Sequence, residues 1–398
     1  MQNHSLKAVL AAGLLCAVNS ASAEVTKLAE LRIPAQSTDQ SNLTGKLDNG
    51  MPLNQFGGIG ALSWAGENVY YLLPDRGPDD GAVPYPTRFH KATFQFTSEG
   101  AVEWKLLETH LLTKDSGEPL VGAASALKHG DKHPGRLDPE GIRFVRQSEK
   151  AAVLAISDEY GPRVDLYDLT GKRTRKLKVP GKFEIEHPSG NAAEEAQKND
   201  KGRQPNAGFE ALGVSPDGGT LYAMNQRPLI QDGAIANGRF TGLLNRILRI
   251  DIESEDTAEF VYPLENSGSA VCELLMIDDH RALILERDSL AGPLAKQKSL
   301  YLIDLHGASD VSEHKSLPAQ AADLPTEVRA VSKRLFADLL DPKFGIAGES
   351  TPAKFEGLTF GPDLPDGRRT LVISVDNDFR GENPTVFYFL ALEPVDLK

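Results

Sequence analysis

Phe209-Glu210-Ala211-Leu212 shows most clearly a short pattern that the chain repeats. An acidic residue comes first, then a small or apolar residue, and then the start of a strand. Three other segments share it: Pro139-Glu140-Gly141-Ile142, Cys272-Glu273-Leu274-Leu275 and Phe355-Glu356-Gly357-Leu358. A fifth, Gly58-Ile59-Gly60-Ala61-Leu62, has Ile59 at the acidic position. Such self-similarity indicates a repeat architecture.

A second strand with a polar end follows each copy of the pattern, then a third strand and, in several copies, a fourth. The polar ends are Asp75-Arg76, Asp158-Glu159, Asn225-Gln226-Arg227, Glu286-Arg287 and Asp376-Asn377. Four short antiparallel strands per unit are typical of a propeller blade. The sequence therefore predicts an all-β fold, a single β-propeller of four-stranded antiparallel blades, with five blades by the repeat count.

The two ends of the repeat array predict how the ring closes. The last unit begins at Glu356 and has only three strands, whereas residues Thr26 to Pro34 resemble the fourth strands of other units. Pairing this N-terminal strand into the last blade would close the ring and remove its open edges. A sixth blade is the alternative, in the long stretch from His306 to Ala353, which also has a helix-like pattern from Leu324 to Leu340.

Residues 1–23 have the pattern of a signal peptide. Lys7 precedes an apolar run from Ala8 to Val18, and Ala21-Ser22-Ala23 supplies the small residues for cleavage. The expected mature domain is residues 24–398, periplasmic or secreted, with no transmembrane segment because no later stretch is long and apolar enough. Cys272 has no cysteine partner in that domain, so no disulfide within it is expected.

The formal net charge of −13 limits the classes of ligand. A strongly acidic surface repels nucleic acid and anionic lipid, so neither is an expected partner. It suits divalent cations where carboxylates converge. In a propeller, the first strand of each blade lines the central channel, so an acid at one repeat position forms a ring around the axis.

We expect this ring to contain Glu140, Glu210, Glu273 and Glu356, with the polar ends of the second strands beside it. Carboxylates this close raise one another's pKa unless a cation lies between them. Oxygen ligands favour Ca²⁺, with Mg²⁺ as the alternative. The candidate metal ligands are Glu140, Glu159, Glu210, Glu273, Glu356 and Asp376.

A small anionic substrate is the expected partner of such a site. Its candidate catalytic groups are Asp75, Glu140, Glu210, Glu286 and Glu356, and its candidate substrate-binding groups are Arg76, Arg227 and Arg287, since guanidinium groups match phosphate and carboxylate geometry. The gap at Ile59, beside Asp75 and Arg76, is where we expect the substrate. In the alternative interpretation the carboxylates cap turns or pair with arginines, and the propeller binds a ligand or a protein partner on its loop-rich face without catalysis.

Several longer motifs carry a family resemblance. They are Leu73-Pro74-Asp75-Arg76-Gly77 with Arg88-Phe89, Asp138-Pro139-Glu140-Gly141-Ile142, Ser157-Asp158-Glu159, Asn206-Ala207-Gly208-Phe209-Glu210, Leu285-Glu286-Arg287 and Lys354-Phe355-Glu356-Gly357-Leu358. With these motifs the chain resembles the phytase-like family of exported bacterial proteins, also called "esterase-like activity of phytase". The resemblance implies a propeller, an export signal and hydrolysis of a phosphate ester or another ester. Family members often have Asp-Asp-Arg where this chain has Pro74-Asp75-Arg76, so one acid of that motif is absent.

Overall fold

The computed structural model describes residues 24–127, 135–148, 151–233, 235–236, 239–393 and 397. The predicted signal peptide, residues 1–23, lies outside the described residues. Within these ranges the chain forms five four-stranded sheets and one two-stranded ribbon. The all-β propeller and its five blades are therefore confirmed.

The strands are as follows. The chain begins with β1 (Val25–Ile33). Blade 1 contains β2 (Ile59–Gly66), β3 (Val69–Pro74), β4 (Arg88–Phe96) and β5 (Val102–Leu111). Blade 2 contains β6 (Pro139–Arg146), β7 (Ala152–Asp158), β8 (Arg163–Tyr167) and β9 (Arg173–Lys176). Blade 3 contains β10 (Phe209–Val214) and β11 (Thr220–Asn225), then, after the ribbon of β12 (Ile235–Ala236) and β13 (Arg239–Phe240), β14 (Leu244–Asp251) and β15 (Thr257–Pro263).

Blade 4 contains β16 (Ala270–Met276), β17 (Arg281–Arg287), β18 (Lys298–Asp304) and β19 (Ser332–Asp338). Blade 5 contains β20 (Phe355–Phe360), β21 (Arg369–Val375), β22 (Thr385–Leu392) and β1. The loops carry a short helix, α1 (Ala192–Lys198), and a left-handed turn at Pro78–Gly81, with 3₁₀ turns at Ala124–Ala126, Gly292–Leu294, Ala321–Asp323 and Pro342–Phe344. No helix in the described ranges is long and apolar enough to cross a membrane.

The N-terminal strand closes the ring, as the sequence predicted. β1 pairs antiparallel with β22, with Val25 opposite Leu392 and Ile33 opposite Thr385. The first strands of the blades contact one another in the order β2, β6, β10, β16 and β20, and β20 contacts β2 again. Each sheet thus has a neighbour on both sides.

The hydrophobic core consists of five layers, one between each pair of neighbouring blades. Strands in such a position are covered on both faces. β16 is accordingly buried at every residue, whereas the outer strand β5 has buried and exposed residues in a mixed pattern. Strands covered on both faces have continuous apolar sequences. This explains why polar and apolar residues hardly alternate in the inner strands of this chain.

The stretch from 306 to 353 supplies the fourth strand of blade 4, and the described residues contain no sixth four-stranded sheet. The predicted helix from Leu324 to Leu340 is wrong. Residues 324–331 form an irregular segment, and β19 follows it. Leu324 and Val328 pack against a small cluster that contains Leu317, so the apolar spacing that resembled a helix reflects the docking of a loop.

Ile33→Ala should show how much the closure contributes. Ile33 is fully buried in the layer between blades 5 and 1, so this truncation is expected to lower the free energy of unfolding by about 2–5 kcal/mol. The control is Arg32→Ala, whose side chain is half exposed, with an expected change below about 1 kcal/mol. Urea unfolding measures both. Equal effects of the two changes would contradict the closure.

Candidate functional site

A β-bulge near the start of each first strand decides which residues are equivalent between blades. In blade 3, Phe209 pairs with Asn225 and Ala211 with Met224, so Glu210 is the extra residue. The first strands of the other four blades have a register shift at the same point. Bulges re-aim side chains and often lie next to functional sites. The residues at the equivalent position are Gly60, Glu140, Glu210, Cys272 and Glu356.

This register replaces one residue of the predicted ring. In blade 4 the residue in the bulge is Cys272, because Glu273 already lies opposite Leu285. Glu273 is a buried residue one step further along the strand. It forms an ion pair with Arg143 at 2.9 Å. The structure therefore does not bring Glu273 together with the other ring glutamates.

The ring position that lacks an acid is Gly60, and not Ile59 as the sequence predicted, because Ile59 pairs with Pro74 outside the bulge. A Cβ on Gly60 would lie 3.4 Å from Oε2 of Glu356 and 3.6 Å from Oε2 of Glu140. The carboxylates of both neighbouring blades thus reach the space that a side chain would fill. The absence of a side chain here leaves room between two acids.

Two further sets of equivalent residues surround the ring. In each second strand, one residue pairs with the first-strand residue just before the bulge. The first set consists of the residues that directly follow it: Asp75, Glu159, Gln226, Arg287 and Asp376. The other lies two residues before the bulge and contains Gly58, Asp138, Gly208, Ala270 and Lys354. In four blades a backbone amide of the first set donates to a carbonyl of the second, at 2.8 to 3.1 Å. The same local geometry therefore presents a different side chain in each blade.

The most compact group of acids is Asp138, Glu140 and Glu159. One oxygen from each lies within 4.8 Å of the other two. Burial, and then the charges of neighbouring acids, raise the pKa of Glu140 and of Glu159 well above the ordinary value. Oε1 of Glu159 is buried without a hydrogen-bond partner among the described residues. Three carboxylates that offer oxygens at this spacing, together with an unsatisfied oxygen on Glu159, fit a hard divalent cation.

Glu210 of blade 3 and Glu356 of blade 5 are the other two glutamates of the ring, and each has one polar partner from the end of a second strand. Nε2 of Gln226 donates to Glu210 at 3.0 Å, and Arg287 forms an ion pair with Glu356 at 2.7 Å. Oε2 of Glu210 has no partner in the described part of the chain. Burial, together with the charge of Glu356, raises the pKa of Glu210 to about 8.

Asp75 and Asp376 complete the acidic part of the site. Burial, and then the nearby charge of Asp376, raise the pKa of Asp75 well above its usual range. Asp376 differs because Lys354 forms an ion pair with it at 2.9 Å. Although burial acts in the opposite direction, Lys354 lowers the pKa of Asp376.

Arg76 lies inside the acidic group as a counter-ion. Its guanidinium donates to Asp138, Asp80 and the amide oxygen of Asn206, and it reaches Glu159 at 3.2 Å. Only 5% of Arg76 is exposed. A role of Arg76 in substrate binding stays a prediction, and its contacts here are with the protein's own acids.

Arg227 is the least engaged of the three predicted substrate arginines. It is half-buried, forms no ion pair among the described residues, and donates only a long hydrogen bond of 3.4 Å to the carbonyl of Ser267. Burial, and next the positive charge of Arg287, lower its pKa. Two guanidinium groups therefore lie near each other, and the donors of Arg227 are largely unused.

Glu286 lies away from this site, although the sequence predicts it to be catalytic. Tyr262 and Lys333 donate to one of its oxygens, and Gln297 donates to the other at 3.1 Å. Successive residues of a strand point to opposite faces, so Arg287 meets the ring while Glu286 packs between β15 and β19. Its contacts are those of a buried structural carboxylate.

Strained backbone surrounds the site. Asp80 and Asn206 have φ of 58° and 52° and both contact Arg76, while Asp378, with φ of 51°, contacts Lys354. Non-glycine residues in this region cost free energy, and such residues often mark a functional site. Lys354, Asp376 and Asp378 also line a cavity of about 360 Å³ that opens beside the ring.

Sequence reasoning missed Asp138 and Lys354. Both precede the acidic repeat residue by two positions, and both stand in the motifs that carry the family resemblance. A comparison of this position across all five units could have found them, because the other three units have the uncharged residues Gly58, Gly208 and Ala270 there.

The sequence profile of the phytase-like family, described as "esterase-like activity of phytase", matches residues 54–379. The chain belongs to the phytase-like family. One relative is an "uncharacterized secreted protein" of Arthroderma benhamiae, 28% identical over 294 residues. That match covers 58% of this chain and 56% of the relative, so the chain matches little more than half of the relative's length.

Solved structures similar to this phytase-like protein are distant. A luciferin-regenerating enzyme is 10% identical with a TM-score of 0.33, and the match covers 84% of this chain and 92% of that one. A protein of unknown function from Bacteroides thetaiotaomicron is 12% identical with a TM-score of 0.36, covering 92% and 75%. Similarity at this level says nothing about activity.

Glu273→Gln is expected to flatten the pH dependence of unfolding. Burial raises the pKa of Glu273 to about 7, against the lowering effect of Arg143. Between about pH 4.3, the ordinary value for glutamate, and about pH 7, the folded chain therefore holds a proton that the unfolded chain has lost. Stability falls as pH rises through this window, by up to about 1.4 kcal/mol per pH unit from this group.

Urea unfolding at pH 5, 6 and 7 measures the slope. It should be smaller in Glu273→Gln than in the wild type, while the exposed control Glu103→Gln should keep the wild-type slope. Identical slopes in all three proteins would show that Glu273 does not hold the proton.

Proposed function

We propose that this protein is an exported hydrolase that uses a divalent cation to cleave a phosphate ester or another anionic ester. The observation that carries the proposal is the group of Asp138, Glu140 and Glu159, whose oxygens lie within 4.8 Å of one another. The family description names an esterase-like activity of phytase, and the fungal relative is named as secreted. The description of that relative as secreted agrees with the predicted signal peptide.

The metal we propose is Ca²⁺, held by Asp138, Glu140 and Glu159. A bound Ca²⁺ would polarise a phosphoryl or acyl oxygen and lower the pKa of a water molecule. The residues fit the ion because they offer hard oxygen ligands and because an oxygen of Glu159 lacks any other partner in the described structure. Glu356 and Asp376 belong to blade 5 and form ion pairs with Arg287 and Lys354 instead.

Arg227 is the residue we assign to the anionic group of the substrate, with Arg287 beside it. Arg227 has unused N–H donors and is partly exposed, whereas Arg287 is already paired with Glu356. A guanidinium group can bind two oxygens of a phosphate at once. The predicted position of the substrate, beside the gap in the ring, borders the group of metal-binding acids on its other side, because Gly60 lies between Glu140 and Glu356.

Glu210 is the group we assign to proton transfer. It lies in the ring between the metal-binding acids of blade 2 and the arginines of blades 3 and 4. Its Oε2 lacks a partner among the described residues, and its raised pKa, about 8, suits a group that takes up and releases a proton near neutral pH. Asp75 and Glu356 flank the gap and remain predicted catalytic residues.

A second candidate function is ligand binding without catalysis. The observation that favours it is Arg76, which already compensates the charges of Asp138 and Glu159 without a metal. In that case the acids stabilise the meeting point of the blades, and the loop-rich face binds a ligand or a protein partner. The two candidates differ in their response to calcium.

Glu140→Gln is expected to weaken Ca²⁺ binding about tenfold or more and to abolish turnover of a panel of phosphate esters that includes phytate and p-nitrophenyl phosphate. In the wild type, Ca²⁺ at a hundred times its dissociation constant should stabilise the fold by about 2.7 kcal/mol, and a chelator should reverse this. Glu382→Gln, an exposed acid on the same face, is the control.

Calorimetry with Ca²⁺ and thermal unfolding give the binding results, and phosphate release gives the activity. If the wild type shows no turnover and chelation leaves its melting temperature unchanged, the hydrolase proposal is wrong and the binding candidate stands.

Arg227→Gln is expected to raise KM for an anionic substrate about tenfold or more while leaving the Ca²⁺ affinity unchanged, because the guanidinium contacts the substrate and not the ion. Arg249→Gln, at an exposed position of blade 3, is the matched control and should behave as the wild type. Steady-state kinetics with calorimetry separate the two effects. A loss of Ca²⁺ affinity in Arg227→Gln would mean that this arginine supports the acids instead.

A further inference from the structure

The propeller axis has a second opening at the end opposite the acidic ring. The first strands run from the ring to this end and finish at Gly66, Arg146, Val214, Met276 and Phe360. A cavity of about 340 Å³ lies there, lined by residues of all five blades. The side chains that matter for its chemistry are Ser63, Arg143, Arg146, Asp217, Thr359 and Arg369.

Arg143 separates this cavity from the ring. It is 2% exposed, and its terminal nitrogens donate to the carbonyls of Leu62, Leu274 and Leu358, which belong to three other blades. Its Nε is buried and has no hydrogen-bond partner in the ranges that the structure describes. A buried N–H without a partner costs free energy unless a ligand or a water molecule accepts from it.

Arg146 and Arg369 give the cavity a positive charge. The guanidinium of Arg369 lies 3.6 Å from the ring centre of Phe360, and that of Arg146 lies 5.5 Å from the ring of Phe144. Stacking of this kind holds a guanidinium by its face and leaves its N–H edge available. Arg369 has only a distant acid, Asp363, at 4.0 Å, and Arg146 has no ion pair among the described residues.

The one acid in the lining is already engaged. Asp217 accepts hydrogen bonds from Ser215 at 2.5 Å and from the amide of Gly219 at 2.9 Å, so its carboxylate caps the turn between β10 and β11. These contacts lower the pKa of Asp217. The carboxylate stays charged, and because two arginines face this one acid, the cavity keeps an excess of positive charge.

Two buried hydroxyl groups add neutral donors. Ser63 accepts from the amide of Phe144 at 2.9 Å, and Thr359 accepts from the amide of Trp64 at 3.0 Å. Because each hydroxyl oxygen accepts from the backbone, its own O–H remains to donate. Both hydroxyls line the cavity beside Arg143.

We propose that this cavity is a second ligand site, specific for a tetrahedral oxyanion such as phosphate or the phosphate group of a larger molecule. Its donors are the edges of Arg146 and Arg369, Nε of Arg143 and the hydroxyls of Ser63 and Thr359. The site stands apart from the acidic ring, with Arg143 between them, and it does not depend on the hydrolase proposal.

Trp64 provides a local probe because it lines the cavity, and Trp104 is the other tryptophan of the chain. The experiment uses Trp104→Phe as the background and titrates inorganic phosphate at pH 7.5 in the presence of a chelator, with chloride at matched ionic strength. We expect a saturable change in the emission of Trp64 with phosphate and none with chloride.

Arg146→Gln and Arg369→Gln should each weaken the apparent phosphate affinity about tenfold or more. Arg227→Gln and Arg380→Gln, on the face of the acidic ring, should leave it unchanged. Circular dichroism checks that each variant is folded. A response that is identical with chloride, or that survives in both cavity variants, or that disappears in Arg227→Gln, would overturn the proposal.

Discussion

The guanidinium of Arg143 on the propeller axis is the contact on which the rest of the molecule depends. Arg143 donates to carbonyls of blades 1, 2, 4 and 5, and forms an ion pair with Glu273 of blade 4. Removing one partner of a buried ion pair typically costs about 3–5 kcal/mol. One side chain thus satisfies backbone groups that no strand pairing can reach, and it closes the channel between two chemically different ends.

The candidate site arises because five equivalent positions carry different residues. A strict repeat would place five glutamates in the ring, and their mutual repulsion would be severe. This chain replaces two of them by Gly60 and Cys272, and it introduces Arg287 and Lys354 at neighbouring equivalent positions. The acids of blade 2 share Arg76, whereas the acids of blade 5 pair with Arg287 and Lys354. This asymmetry around the ring is a property of the sequence differences, since the backbone geometry is similar in each blade.

The fold could be predicted from the sequence because the repeat, the turn residues and the strand missing from the last unit all agree. The details of the site could not be predicted, because they depend on the exact pairing of residues between the first two strands of each blade. A glutamate occurs at the second position of both Cys272-Glu273 and Phe209-Glu210, but only the bulge shows that Cys272 is the equivalent of Glu210. Glu286 and Arg287 differ by one residue and therefore face opposite sides of β17. The helix expected near Leu324 failed for a similar reason, because apolar spacing along a docked loop can imitate a helical period.

The closure of the ring by β1 has a consequence for the order in which the chain acquires structure. The partner of β1 is β22, more than 350 residues further along the chain. During synthesis, the earliest strand therefore stays without its partner until the last blade has emerged. Contacts of such separation slow folding, because the loop must close before they form. The intact ring, and with it the convergence of acids from all blades, can form only after the last strand of the domain has been synthesised.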